Sequence, residues 1–263
     1  MDIIDVIRER RSVRNYNGKP LTAELRLQLL KAIDESYTFF GGNVTIRLKE
    51  FDLKGEYKPG TYGVIKGASD FFLLGIGNDE SSALTAGFQF EQVVLRAWQL
   101  GLGTCWIAAT FKGTDFDRGQ QWPEGESLRI ISPVGVAEKP HLLEKVTRLT
   151  VGSDKRKPFK QLFFTDDFKT SLNEDNTFAD SLSMLRLAPS STNSQPWRVL
   201  VEGDKVHFYC IPKSPVSVLD CGIGICHFYL AEKYYGHSGE FSKQSQPPAI
   251  HENWKYLTSY TRK

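Results

Sequence analysis

The chain has 263 residues, 40% hydrophobic and 24% charged, which is enough to bury a substantial core in one large domain or two small ones. Its 33 basic and 31 acidic residues give a formal net charge of +2, so composition offers no reason to expect a nucleic-acid partner. The N-terminus is charged where a signal peptide needs an apolar run, and no apolar run approaches the length of a membrane span. We therefore expect a soluble, cytoplasmic protein with a small-molecule substrate.

Apolar periodicity predicts the same order of elements twice along the chain: helix, strand, strand, long helix and strand. The elements with predicted bounds are a helix at 21–36, a strand at 44–53, a long helix from 86 and a strand at 128–137, then a helix at 178–187, a strand at 197–201, a long helix from 221 and a strand at 254–262. Both long helices are apolar on nearly every face, which indicates burial at the centre of the molecule. The expected fold class is α+β, with mostly antiparallel sheets packed on long buried helices.

The two halves are related in sequence as well as in pattern. The segments that begin at Ala86 and Cys221 align without a gap, so that Gly87 meets Gly222 and Gly101 meets Gly236 at an offset of 135 residues. The offset is 150 residues earlier in the halves, which an extra loop at 54–69 would explain. We expect two half-domains, 1–164 with a crossover segment and 165–263, that form one compact unit.

Two segments far apart in sequence have side chains suited to a phosphorylated, electron-rich cofactor. Arg10, Arg11, Ser12 and Arg14 lie in the run RRSVR and offer fixed charge, planar donors and a hydroxyl group. The alternative for this run is an ordinary solvated basic helix end. The second segment is APSSTNSQPW, residues 188–197, which we call the seryl loop. In it, Pro189, Ser190, Ser191 and Asn193 combine a stiff backbone with short donors and acceptors. Its alternative is a simple turn before a strand, and Gln195 and Trp197 have the character of structural residues.

Together, RRSVR and APSSTNSQPW resemble the motifs of the nitroreductase family of FMN enzymes, most closely the single-chain branch with two fused half-domains. The resemblance implies a monomer that mimics a homodimer, with both segments serving one flavin. It implies that FMN carries electrons from NAD(P)H to a small oxidised substrate, such as a nitroaromatic compound or a quinone, in a ping-pong cycle. No catalytic side chain and no metal are implied, because the chemistry belongs to the flavin.

The same resemblance assigns three further residues to the cofactor. The main chain at Ala108 and Ala109 would lie near the hydride-accepting ring nitrogen, and Arg156 would return to the phosphate, although a surface role fits Arg156 equally well. Two other functions stay open. One is a flavin-binding protein without NAD(P)H turnover, such as a redox sensor or cofactor store, and the other is a dehalogenase or flavin-fragmenting enzyme.

The sequence predicts one FMN per chain. At the offset of 150 residues Ser12 maps to Leu162, whose surroundings contain Asp166 and Asp167, and these acids would repel a phosphate. Opposite the seryl loop the first half has Tyr37-Thr-Phe-Phe-Gly-Gly-Asn43, whose aromatic side chains are expected to fill the vacated site. The alternative is a second site that takes its basic residues from Lys157 or Lys169.

Other chemistry has weaker support. Three GxG runs, at Gly75, Gly101 and Gly222, lack the third glycine of a dinucleotide-binding fingerprint, so a Rossmann domain is not expected. His227 beside Cys226 could suggest a metal or nucleophile site, but with no second ligand at helical spacing a core histidine is favoured. The four cysteines form no CxxC pair and are expected to be reduced core residues.

Overall fold

The computed structural model describes residues 1–52, 59–138, 155–246 and 248–263. The helices are α1 (Ile3–Glu9), α2 (Ala23–Asp34), α3 (Glu80–Gln99), α4 (Gly113–Asp117), α5 (Ala179–Arg186) and α6 (Ser217–Tyr234). The strands are β1 (Val44–Glu50), β2 (Asp70–Gly77), β3 (Gly103–Thr104), β4 (Glu126–Gly135), β5 (Phe163–Thr165), β6 (Trp197–Glu202), β7 (Lys205–Cys210), β8 (Gly239–Ser242) and β9 (Lys255–Arg262). Single 3₁₀ turns lie at Phe159–Gln161 and Ser191–Asn193. In the part of the chain that the structure describes, no helix is long and apolar enough to cross a membrane.

The chain divides into two compact units, Met1 with Glu9–Val151 and Asp2–Arg8 with Gly152–Lys263. This division differs from the predicted boundary at 164/165, which falls inside the second unit. The reason is long-range pairing: β5 pairs with β6 in parallel, and the Tyr234 hydroxyl donates to Asp2 Oδ2 at 3.1 Å. Composition along the chain contains no signal for either contact. Residues 139–154, and residues 54–58 of the predicted extra loop, lie outside the described residues.

The first unit contains a four-stranded sheet in the order β1-β2-β4-β3, with every neighbouring pair antiparallel. All eight residues of β2 are buried, because the sheet is covered on both faces. Phe72 packs edge-to-face on Phe90 of α3, with 5.1 Å between the ring centroids. Phe71, which alternates to the opposite face, packs in the same way on Phe51 and Phe116.

The second unit repeats this plan. Its sheet has the order β5-β6-β7-β9-β8, and without β5 the order and the antiparallel pairings match those of the first unit. Both sheets have an irregularity at the equivalent strand, between Leu74 and Gly75 in β2 and between Phe208 and Tyr209 in β7. The matching topology confirms the internal duplication and the α+β class with mostly antiparallel sheets.

The positions at the start of the long helix are equivalent in the two units, at the sequence offset of 135 residues, but their hydrogen bonds run in opposite directions. Before α3, Asp79 accepts from Ser82 N at 2.9 Å, and satisfying an amide of the first helical turn in this way stabilises a helix by about 1 kcal/mol. Before α6, the Ser217 hydroxyl accepts from Ser214 N at 2.9 Å, and no side chain caps the first turn of α6.

α6 is buried over most of its length, as the sequence predicts, and becomes exposed in its last turn at Lys233 and Tyr234. His227 is fully buried, and its Nδ1 lies 3.2 Å from the Met184 carbonyl oxygen, so it is a core histidine with a backbone partner. None of the four cysteines, all within the described residues, forms a disulfide, and all four are buried. Both predictions are confirmed.

Candidate functional site

The basic segment belongs to the first unit, where its backbone lies along the edge of the sheet. Ser12 forms a parallel bridge with Thr104 of β3, and Val13 N donates to Thr104 O at 2.8 Å. Arg14 is held from the other side, since Lys66 N donates to its carbonyl oxygen at 2.9 Å. The segment is therefore extended and fixed between two partners, and Ser12 and Arg14 project to the same side. The sequence-based interpretation did not identify Lys66, whose backbone contact depends on tertiary structure.

The glycines of Gly101-Leu-Gly103 serve this arrangement. Gly101 has φ +77° and closes α3, with its N–H donating to Trp98 O at 2.9 Å. A Cβ atom on Gly103 would lie 2.5 Å from the Val13 Cβ, closer than two side chains can approach. Only a glycine therefore lets the basic segment reach the sheet. This GxG run has a turn and packing role, in agreement with the expectation that it is no dinucleotide fingerprint.

Arg10 is less available for cofactor binding than its position in the basic run suggests. Its side chain is 5% exposed, and its Nε lies 3.8 Å from Glu91 Oε1, a carboxylate buried in the middle of α3. The other Glu91 oxygen accepts from Trp106 Nε1 at 2.8 Å. Arg10 thus compensates a buried negative charge. Arg11 is exposed, with its guanidinium 5.7 Å from the centre of the Trp98 ring.

The other residues predicted in the first unit lie on its surface or close to the basic segment. Arg14 is exposed, and the Ser12 hydroxyl bonds to the thiol of Cys105. Ala108 and Ala109 are exposed and follow Ile107, which exchanges two backbone hydrogen bonds of 3.0 Å with Ile131. The two alanines therefore begin a surface turn directly after a fixed point of the sheet.

In the second unit the seryl loop has an unusual backbone. Thr192, Asn193 and Gln195 have φ values of 51°, 54° and 47°, in the left-handed region that favours glycine. Each such residue costs about 1–3 kcal/mol and persists only where its surroundings hold it, which is typical of binding and catalytic sites. Within the loop, Ser190 Oγ accepts from Gln195 N at 2.9 Å.

The structure brings Arg156 to this loop. Arg156 Nη1 lies 3.4 Å from Asn193 Oδ1, and its Nη2 donates to the Leu187 carbonyl at 3.0 Å. Asn193 Nδ2 in turn donates to the carbonyl of Lys155 at 2.7 Å. Arg156 and Asn193, which the family resemblance assigns to the cofactor from two separate segments, are therefore neighbours in the structure.

Gln195 and Trp197 have the structural roles that their sequence character indicates. The side chain of Gln195 accepts from Lys157 N at 2.8 Å and is buried, and Trp197 is buried at the start of β6. Pro189 and Ser190 are partly buried and lead into the strained part of the loop.

Three charged residues that the sequence analysis did not assign to this loop also hold it in place. Lys157 Nζ donates to Ser194 O at 2.6 Å, and Arg198 Nη1 donates to Gln195 O at 3.3 Å. Burial, followed by repulsion from Lys213 and Arg198, lowers the pKa of Lys157 to about 8. Asp220, in the first turn of α6, accepts from Ser191 N with both carboxylate oxygens, and burial raises its pKa to about 7. A charged residue inside an apolar helix is the signal that could have identified Asp220.

The equivalent loop of the first unit is aromatic. Tyr37, Phe39 and Phe40 pack around Phe88 of α3, with ring centroids 6.3, 5.6 and 5.3 Å from that of Phe88. The predicted replacement of seryl chemistry by aromatic packing therefore has a structural counterpart.

The predicted correspondence between Ser12 and Leu162 is wrong. Leu162 is fully buried next to β5, which pairs with β6 at one edge of its sheet, whereas Ser12 lies beside β3 at the opposite edge of the repeated plan. The two nearby acids have a turn role. Asp166 has φ +58°, and Asp167 Oδ1 accepts from Lys169 N at 2.9 Å and Thr170 N at 2.7 Å. Sequence offset alone could not show that β5 has no counterpart in the first sheet.

Comparison with known proteins gives a consistent picture. The model of a family described as "Putative TM nitroreductase" matches residues 2–232. The crystal structure of a "putative nitroreductase" from Thermotoga maritima is similar, with a TM-score of 0.63 and 18% identity over 100% of this chain and 93% of that one. A nitroreductase with bound FMN from Bacteroides fragilis has a TM-score of 0.44 and 16% identity over 54% of this chain and 91% of that one. None of the curated proteins matches the chain. The likeness to the Thermotoga structure shows a shared fold over the whole length.

Proposed function

Because the chain belongs to the nitroreductase family, we propose that it is an FMN-dependent oxidoreductase that accepts electrons from NAD(P)H and passes them to a small oxidised substrate. The observation that supports this best is the seryl loop of the second unit. It contains three strained residues, one of which, Asn193, contacts Arg156, and it has the residue pattern that resembles the flavin loop of the family. Strain of this kind is maintained where a loop has to present a defined set of polar atoms.

The polar groups of each segment, taken by itself, suit a part of FMN. Ser190, Ser191 and Asn193 supply hydroxyl, amide and carbonyl groups on a fixed backbone, which suits the polar edge of a flavin ring. Arg156 and Arg14 supply guanidinium groups that suit a phosphate or the electron-rich pyrimidine edge. We expect Arg10 to contribute less to FMN binding than Arg14 and Arg156, because its charge is already paired with Glu91.

The flavin, when bound, supplies the hydride and electron transfer, and the side chains of the protein hold and orient it. Arg14 and Arg156 favour negative charge on the cofactor electrostatically. The exposed turn at Ala108 and Ala109 would offer backbone N–H groups to the ring. No side-chain acid or base is assigned. We propose nitroaromatic- or quinone-like compounds as the oxidised substrate, and a monomer as the working form.

The decisive experiment is to purify the protein with excess FMN and add NADH or NADPH without oxygen. Loss of the yellow flavin absorbance, and its return when a quinone or nitroaromatic compound is added, is the expected result. Bound flavin that stays yellow with both nicotinamides would contradict the enzymatic function and favour a flavin-binding protein. A protein that binds no FMN would contradict the assignment altogether.

A further inference from the structure

The carboxylate of Asp220 is buried directly beneath the seryl loop. Asp220 is 3% exposed, and its two oxygens lie 3.1 and 3.0 Å from the backbone nitrogen of Ser191. Ser191 is the first residue of the 3₁₀ turn that contains the strained Thr192 and Asn193. The hydrogen bond therefore fixes the loop at the point where its backbone enters the strained conformation.

The groups around Asp220 do little to balance its charge. The neighbouring Cys221 and the Cys210 thiol of β7 are buried with it, and burial raises the pKa of Cys221 well above its usual value, so that this thiol is neutral around pH 7. The positive charge of Arg198 in β6 opposes the rise in the pKa of Cys221, and the Arg198 guanidinium donates to the backbone carbonyls of Gln195 and Trp197. Burial is the largest influence on Asp220, and the Ser191 amide opposes it, which leaves the pKa of Asp220 at about 7. Asp220 therefore changes its charge in the physiological pH range.

In the first unit, the contact between the long helix and the equivalent loop is made without a charged group. At the offset of 135 residues Asp220 corresponds to Thr85, whose hydroxyl donates to the carbonyl of Gly41 in the equivalent loop and lies 3.1 Å from Thr38 Oγ1. A neutral hydroxyl thus connects the helix to the loop that has lost the seryl sequence. A carboxylate, which is costly to bury, is used in the unit that keeps that sequence.

We infer that Asp220 is a positioning residue for the flavin loop and that its charge makes FMN affinity depend on pH. This inference rests on the proposed function. An ionised carboxylate accepts a stronger hydrogen bond from Ser191 than a protonated one, so it holds the strained loop better in its binding conformation. A loop that is already ordered binds its ligand more tightly, because less conformational entropy is lost on binding.

The test compares FMN dissociation constants of the wild type, Asp220→Asn and Asp220→Ala from about pH 5.5 to about pH 8.5, which brackets the titration. Asparagine keeps a neutral acceptor and represents the protonated form at every pH, whereas alanine removes the acceptor. We expect the Asn variant to bind as well as the wild type at low pH and about fivefold more weakly at high pH. The Ala variant should bind more weakly throughout.

Titration of the FMN phosphate and of Lys157 affects every variant in the same way, so the ratio of variant to wild-type constants isolates Asp220. Asp180→Asn is the matched control, because Asp180 is an exposed acid in the first turn of α5 in the same unit. Its ratio should stay near one at all pH values. Circular dichroism melting curves establish that each variant is folded.

The inference would be overturned if the ratio of the Asp220→Asn dissociation constant to that of the wild type did not change with pH. This holds whether the ratio is near one or is raised by the same factor at every pH. In that case the wild type would still bind FMN and the proposed function would stand. If the folded wild type bound no FMN, the proposed function and this inference would both be overturned.

Discussion

The clearest energetic prediction concerns the stability of Asp220→Asn. The folded-state pKa of Asp220 is about 7, against an ordinary value of 3.8. A carboxyl group whose pKa is raised by folding contributes stability that is fully present below the unfolded pKa. That stability is lost as the pH rises through the folded pKa. With about 1.36 kcal/mol per pK unit, the full shift corresponds to about 4 kcal/mol, and relaxation around the buried charge reduces this amount.

Asparagine does not ionise, so the variant should retain the stability that the wild type loses between pH 4 and pH 7. We expect similar melting temperatures for the two proteins near pH 4.5 and a melting temperature several degrees higher for the variant near pH 8.5. Thermal unfolding of the flavin-free proteins measures this, because bound FMN would add its own stabilisation. Asp180→Asn should show no such pH-dependent gain.

A variant that is less stable than the wild type near pH 8.5, or whose difference in stability is the same at both pH values, would refute this reasoning. If the variant is more stable at high pH and also binds FMN more weakly, Asp220 is maintained at a cost in stability. This is the usual relation between a functional site and the fold that contains it.

Three further predictions address other parts of the candidate site. Gly103→Ala should destabilise the first unit by about 1–3 kcal/mol, because its Cβ would meet Val13, whereas Gly113→Ala, with open space around it, should not; thermal melting of both variants measures this. Arg156→Ala should weaken FMN binding by about tenfold or more in fluorescence titrations, and unchanged affinity relative to exposed Arg96→Ala would remove Arg156 from the site. Because aromatic packing replaces the seryl loop in the first unit, flavin released by denaturation should amount to about one FMN per chain, and a ratio near two would show that both repeats bind the cofactor.

The sequence predicts the duplicated elements well because their signals are local. The long apolar helix from Cys221 and the strand at 254–262 correspond to α6 and β9 within a few residues, since apolar periodicity directly reflects burial. The position of β5 could not be predicted, because its parallel pairing with Val199 depends on the tertiary fold. An offset counted along the chain therefore aligned Leu162 with the wrong residue.

The candidate site was predictable only as far as its motifs. The residue types of the seryl loop could be read from the sequence, but not the left-handed backbone at Thr192, Asn193 and Gln195, since none of these residues is glycine. That conformation results from bonds made by residues elsewhere in the chain, including Lys157 and Asp220. Asp220 could have been noticed as a charged residue inside an apolar helix, but its contact with Ser191, like that of Lys157 with Ser194, depends on the tertiary fold.

The two units show how one backbone plan acquired different chemistry. In both, the long helix contacts the loop before the first strand of the hairpin, through Thr85 in one unit and Asp220 in the other. The first unit satisfies its loop with a hydroxyl group and packs aromatic rings around Phe88, an arrangement that carries no buried charge. The second unit combines a buried carboxylate with a strained backbone, and both are destabilising on their own. The first repeat shows that the helix and loop can be joined without either destabilising feature. Selection for folding alone would therefore remove the buried carboxylate and the strained backbone, whereas selection for ligand binding would retain both.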